Sequence, residues 1–184
     1  MRTPQFPSKL RERTAIPLRS RPGNRQQGVL ALGGRVMRCT LGRSGVLARK
    51  REGDGGTPLG TWRLVEVRYR PDRVKRPLTR LPVRASRAGD GWCDAACDRN
   101  YNRAVTLPYP ASAETMWRDD NLYDIVVVLD HNTRPRARGL GSAVFLHLAR
   151  DGYAPTEGCI ALSEHDMRRL LARLDARSTI AILP

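Results

Sequence analysis

Long apolar runs are what this chain most plainly lacks. No stretch of eighteen apolar residues occurs in its 184 residues, which excludes a membrane-spanning helix from the reading. Met1 to Pro22 likewise has no apolar segment of the kind that begins a secretory leader, so no signal peptide is expected there. Aromatic residues are scarce, at 5%, and no recognised nucleic-acid motif is present, which weighs against a nucleic-acid partner. The four cysteines, Cys39, Cys93, Cys97 and Cys159, lack the paired short spacings of a zinc ribbon, so neither a metal nor a cofactor is expected. Their even number permits a bridge between Cys93 and Cys97 and equally permits free thiols.

Acids are the other shortage. Asp plus Glu number 18 against 33 Lys plus Arg, a net charge of +15 that suits a polyanionic partner without choosing among nucleic acid, membrane and cell wall. Residues 1 to 30 hold seven basic groups and one acid, so the remainder stays basic without them. With Pro4, Pro7 and Pro17 among them, residues 1–28 read as a basic, proline-containing extension and 29–184 as one domain. A content of 16 Gly and 13 Pro, with 40% hydrophobic residues, favours a loop-rich globular fold over a helical bundle.

From Val29 onward short apolar runs alternate with Gly, Pro and Asp clusters, the pattern of strands joined by irregular loops. Strands are expected at Val36–Leu41, Thr61–Tyr69, Tyr123–Leu129, Ser142–Ala149 and Ser178–Leu183, with the two middle runs apolar enough to be covered on both faces. Residues 71–111, holding five prolines, read as a long functional or capping loop. Ser112–Trp117 is expected as a short helix capped by Ser112. A second helix is expected after Cys159, where Ser163 and Asp166 form a loose capping box ahead of Met167, Leu170, Leu171 and Leu174.

Two residues concentrate chemistry. His147 interrupts an apolar strand, where an imidazole without a hydrogen-bond partner costs about 1–3 kcal/mol. Twelve residues later Gly158-Cys159 forms a turn whose glycine frees backbone amides to converge on one spot, an arrangement fit for a thiolate and an oxyanion. Spacing alone also reads as two core residues. Of the rest, His131 ends a strand and either lines a cleft or caps that strand, while Trp92, Asp94, Tyr101 and Asn102 offer a lid wall or a minor core.

The segment Thr156-Glu157-Gly158-Cys159-Ile160-Ala161-Leu162, following His147, resembles the hallmark of the L,D-transpeptidases, peptidoglycan cross-linking enzymes in which Ser/Thr-His-Gly-Cys-apolar-Arg follows a strand histidine. Glu52-Gly-Asp-Gly-Gly-Thr57-Pro58-Leu-Gly60-Thr61 is similar to that family's Thr-Pro-x-Gly segment, and the likeness runs over roughly residues 29 to 184. The resemblance implies a mainly β fold, a β-sandwich with mixed sheets, a long irregular loop region and one helix after the cysteine. It implies Cys159 as nucleophile, His147 as base and Gly158 at the oxyanion amides, acting on peptidoglycan stem peptides through a thioester. The carbonyl of Leu148 would orient the imidazole, and Glu157, Thr156, His131, Tyr101 and Trp92 become candidate substrate contacts. A substrate of this kind implies the periplasm or cell envelope.

Two departures qualify the substrate side: Glu157 stands where the family has His, and Ala161 where it has Arg. Glu157 reads either as a contact for a substrate ammonium group or as a loop acid near Arg150. Hydrolysis by the same residues, as an L,D-carboxypeptidase or amidase, is the competing activity. A basic nucleic-acid-binding module and a catalytically silent wall-binding domain are the competing non-enzymatic readings.

Overall fold

The computed structural model describes residues 15–184. Pro4, Pro7 and the basic residues before Ala15 lie outside the described residues.

Local chemistry accounts for the first strands. In β1 (Ala15–Arg21) Ile16 and Leu18 are buried while their neighbours face outward, the period-2 alternation of a half-covered strand. Gly33 and Gly34, both at positive φ, make the two-residue turn joining β2 (Asn24–Leu32) to β3 (Arg35–Thr40), a turn whose twist matches paired strands. β4 (Val46–Leu47) and β5 (Thr57–Pro58) are a short parallel pair flanking the glycine-rich loop. The long β6 (Gly60–Tyr69) follows, then β7 (Val83–Ala85), β8 (Asp90–Cys93), β9 (Arg103–Thr106), β10 (Ala113–Thr115), β11 (Ile125–Leu129), β12 (Phe145–Leu148), β13 (Ile160–Leu162), the helix α1 (Glu164–Leu171) and β14 (Thr179–Leu183).

The main sheet runs β11-β12-β13-β3-β2-β1-β14-β6-β7, and β11 also pairs with β6, so the sheet closes on itself with β7 at its margin. It is mixed: β1–β14, β12–β13 and β6–β7 are parallel, and the other pairs antiparallel. The fold is mainly β, as expected. Leu18, Leu30, Val67, Val127, Leu146 and Ile182 fill the space the closed sheet encloses, and α1 covers it with Met167, Leu170 and Leu171. Ser163 caps that helix by accepting from the Asp166 amide at 3.1 Å, worth about 1 kcal/mol. The helix stops at Leu171, yet Leu174 beyond it is buried all the same.

A second cluster lies on the outer face, where Trp92, Met116, Leu122, Tyr123, Val126, Val128 and Phe145 pack together with Ala143 and Cys159 against them. β11 separates the two cores, with Ile125, Val127 and Leu129 facing one and Val126 and Val128 the other. Both faces are covered, so the run is apolar without alternation.

Three expectations change. β1 and the start of β2 fall within residues 1–28, so the sheet takes in part of the expected extension, because alternating Ile16 and Leu18 outweigh the basic residues around them. Residues 71–111 carry β7, β8 and β9 rather than one continuous loop. Ser112–Trp117 contains strand β10, whose Ala113 and Thr115 pair with Cys93 and Gly91. Six residues cannot offset the cost of nucleating a helix, whereas cross-strand pairing with β8 needs no such nucleus. All four cysteines are free, Cys97 on the surface and Cys93 buried.

Candidate active site

The register of two parallel strands assembles the centre. β12 and β13 pair Leu146 with Ile160, His147 with Ala161 and Leu148 with Leu162. Side chains two apart on a strand share a face. Leu146, Leu148, Ile160 and Leu162 therefore point into the main core, while Phe145 and His147 share the opposite face with Cys159 and Ala161. That face floors a cavity of about 450 Å³ whose lining includes Cys159, His147, Ala161, Tyr123, Glu114 and Lys50.

The turn before β13 is held by close backbone packing. Gly158 has φ +136, and a Cβ there would come 2.8 Å from the Gly56 carbonyl oxygen. Gly42 is as tightly placed, since its Cβ would meet the Gly55 oxygen at 2.2 Å and the Gly158 Cα at 3.0 Å. The glycine-rich loop thus presses on the Gly158–Cys159 turn. Buried Thr57 ties it down by accepting from the Gly42 amide at 2.9 Å. Thr156 closes the turn, its hydroxyl donating to the Cys159 carbonyl at 2.6 Å and accepting from the Gly158 amide at 3.2 Å.

The Cys159 Sγ lies between two backbone groups of the neighbouring segment, donating to the Ala143 carbonyl at 3.2 Å and accepting from the Phe145 amide at 3.4 Å. Burial pushes this thiol up to about 12; Glu114 adds to the rise, and the Phe145 amide and the Lys50 ammonium oppose it. His147 is 6% exposed, and burial holds it down at about 4, with Arg118 and Arg150 adding to the effect and the bond to Leu148 opposing it. At neutral pH the pair is a thiol and a neutral imidazole. The Leu148 carbonyl lies 2.8 Å from Nδ1, and a carbonyl can only accept, so Nδ1 carries the proton and Nε2 keeps its lone pair. Tyr123 holds the ring edge-on at 5.4 Å, and its own hydroxyl donates to Glu114 at 2.6 Å. Burial raises the Glu114 carboxyl above the usual carboxylate range.

Of the residues singled out from sequence, Cys159, His147, Gly158, Glu157, Thr156 and Asp94 line the cavity. Glu157 is largely exposed and pairs with Arg43. His131, Tyr101, Trp92 and Asn102 lie outside the lining and form its support. Asn102 accepts from the Trp92 indole at 3.0 Å and the Ala143 amide at 3.1 Å, and donates to the carbonyls of His131 and Asn132. It thereby fixes the residue whose carbonyl holds the thiol. Tyr101 donates to Glu52, which does line the cavity. His131 bonds to the Leu140 carbonyl and stacks edge-on against Trp62 at 4.7 Å. Sequence reasoning missed Lys50, Glu114, Arg118 and Tyr123. The only available signal was the charged Lys50-Arg51-Glu52 leading into the glycine loop. Among the described residues no group of three His, Cys, Asp or Glu is placed to hold a metal ion.

A family model described as the L,D-transpeptidase catalytic domain matches residues 24–182. No curated protein and no solved structure matches the chain.

Proposed function

The chain belongs to the L,D-transpeptidase family, and from that premise we propose that Cys159 carries out acyl transfer on peptidoglycan stem peptides with His147 as its base. The observation that carries the reading is the β12–β13 register, which sets Cys159 and His147 on one face over one cavity. Nε2 of His147 takes the thiol proton while Sγ attacks the donor carbonyl, and the Cys159 amide in the Gly158 turn receives the developing oxyanion. The carbon–nitrogen bond to the terminal D-alanine breaks, and its amine leaves with the proton from His147. An acceptor amine then attacks the thioester carbonyl and gives a proton to Nε2; the carbon–sulfur bond breaks and the proton passes from Nε2 to Sγ, which restores the thiol.

A neutral resting pair suits this chemistry. Charge is created only when a substrate carbonyl is present to use it, which keeps a thiol that lines an open cavity from stray oxidation. One feature favours hydrolysis as a second reading: Ala161, directly opposite His147, leaves open the place where the family has Arg, so water has room beside the imidazole. Product analysis with and without an added acceptor amine separates transfer from hydrolysis.

Intact-protein mass spectrometry with a carbapenem tests the nucleophile. Wild type is expected to gain one covalent adduct and Cys159→Ala none; equal adducts on both would refute the assignment.

A further inference from the structure

Two neutral groups do not by themselves make a thiolate. His147 is buried and Cys159 half-buried in the same cavity wall, and moving a proton from one to the other creates a charge pair there, where it costs more than in water. The Phe145 amide at 3.4 Å offers the sulfur one weak dipole. A fixed positive charge is needed nearby, and Lys50 supplies it.

The Lys50 side chain is 8% exposed, which is rare for lysine and implies a held position. Its stem passes between two glycines: Cε lies 3.2 Å from the place of a Cβ on Gly141 and 3.7 Å from that on Gly158. The ammonium donates to the Arg51 carbonyl at 2.7 Å and to Asp54 at 2.5 Å, which occupies two of its three N–H groups. Asp54 is itself pinned by the amides of Arg51 and Gly56. Its carboxyl stays below the usual range because these amides and Lys50 together outweigh burial. The glycine-rich loop, whose sequence suggested only close backbone approach, is thus also the mount for a buried cation beside the nucleophile turn.

The other charges facing Cys159 do not do this. Glu114 on β10, hydrogen-bonded to Tyr123, opposes a thiolate. Arg118 is engaged by both oxygens of Asp120, and Arg150 is exposed. The remaining acids of the lining, Glu52, Asp94 and Glu157, carry the wrong sign.

We propose that Lys50 is a positioning residue for the nucleophile: its ammonium, fixed by Asp54 against the Gly158–Cys159 turn, favours the thiolate that forms when His147 takes the proton. This rests on Cys159 being the nucleophile, and the test keeps the two claims apart. The rate of Cys159 alkylation by iodoacetamide at fixed, mildly alkaline pH reports thiolate fraction, and peptide mass spectrometry separates Cys159 from exposed Cys97. Lys50→Gln, which keeps hydrogen bonding but loses the charge, is expected to slow alkylation about tenfold, with Lys50→Arg restoring most of the rate. Lys50→Gln alkylated at the wild-type rate, or Lys50→Arg as slow as Gln, would overturn the inference. Where Lys50→Gln fails to fold, Lys50→Met, which keeps an unbranched stem between the two glycines and loses the charge, decides: alkylation at the wild-type rate refutes the role. A wild type that takes no carbapenem adduct removes the acyl-transfer reading, whereas these rate ratios bear on Lys50 alone.

Discussion

The depressed basicity of His147 makes the fold acid-sensitive in a calculable way. Its folded value of about 4 lies below the ordinary 6.5, so the folded state binds fewer protons than the unfolded chain between those values. The sign follows directly. The contribution is complete above about pH 6.5 and is lost as pH falls toward 4, because protonating this imidazole means burying a charge. A difference of about 2.5 units corresponds to about 3 kcal/mol, a large share of the margin of an ordinary domain. His147→Gln keeps an N–H for the Leu148 carbonyl and cannot titrate. Urea unfolding of both proteins at pH 7 and at about pH 4.5 isolates the effect, since carboxylates and His131 titrate in both. Wild type is expected to lose about 2–3 kcal/mol more than the variant over that interval. Equal losses would show that His147 is not held neutral by burial.

Two further outcomes follow from the turn and its support. Thr156→Val keeps shape but leaves the Cys159 carbonyl and the Gly158 amide without the hydroxyl, costing about 2 kcal/mol and lowering the melting temperature by about 4–8 °C; Thr156→Ser should recover most of it, as read by calorimetry. Asn102→Ala unpairs the Trp92 indole and the Ala143 amide and is expected to cost about 3 kcal/mol in chemical denaturation while slowing carbapenem acylation, because the Ala143 carbonyl that holds the thiol is released.

Much of the site was readable because its members announce themselves locally. A histidine inside Phe145–Leu148 breaks an apolar run, and Gly158 stands before a cysteine in a turn where only glycine fits. The helix after Cys159 was legible from Ser163 and the four apolar residues Met167, Leu170, Leu171 and Leu174 at helical spacing, the first three of which lie in it. β10 was not, because Glu114 and Thr115 have no strong preference and their state is set by pairing with Trp92 and Gly91, more than twenty residues upstream in the chain. Trp92, Tyr101 and His131 look like ligand contacts in a linear reading, since side-chain type alone does not say which surface a residue faces.

Sequence by itself singled out the candidate residues, a thiol, an imidazole and the glycines around them, and it did so through the Thr156–Leu162 and Glu52–Thr61 segments, since spacing alone also fits two core residues. Tertiary structure decided how they are arranged. The parallel register of β12 and β13 puts Cys159 and His147 on one face, their surroundings hold both neutral, and the β3–β13 pairing with the Gly42–Thr156 bridge brings the loop of Lys50, more than a hundred residues before Cys159, to the same turn. Register, burial and the approach of distant charges depend on pairings between remote segments, and no local pattern encodes them.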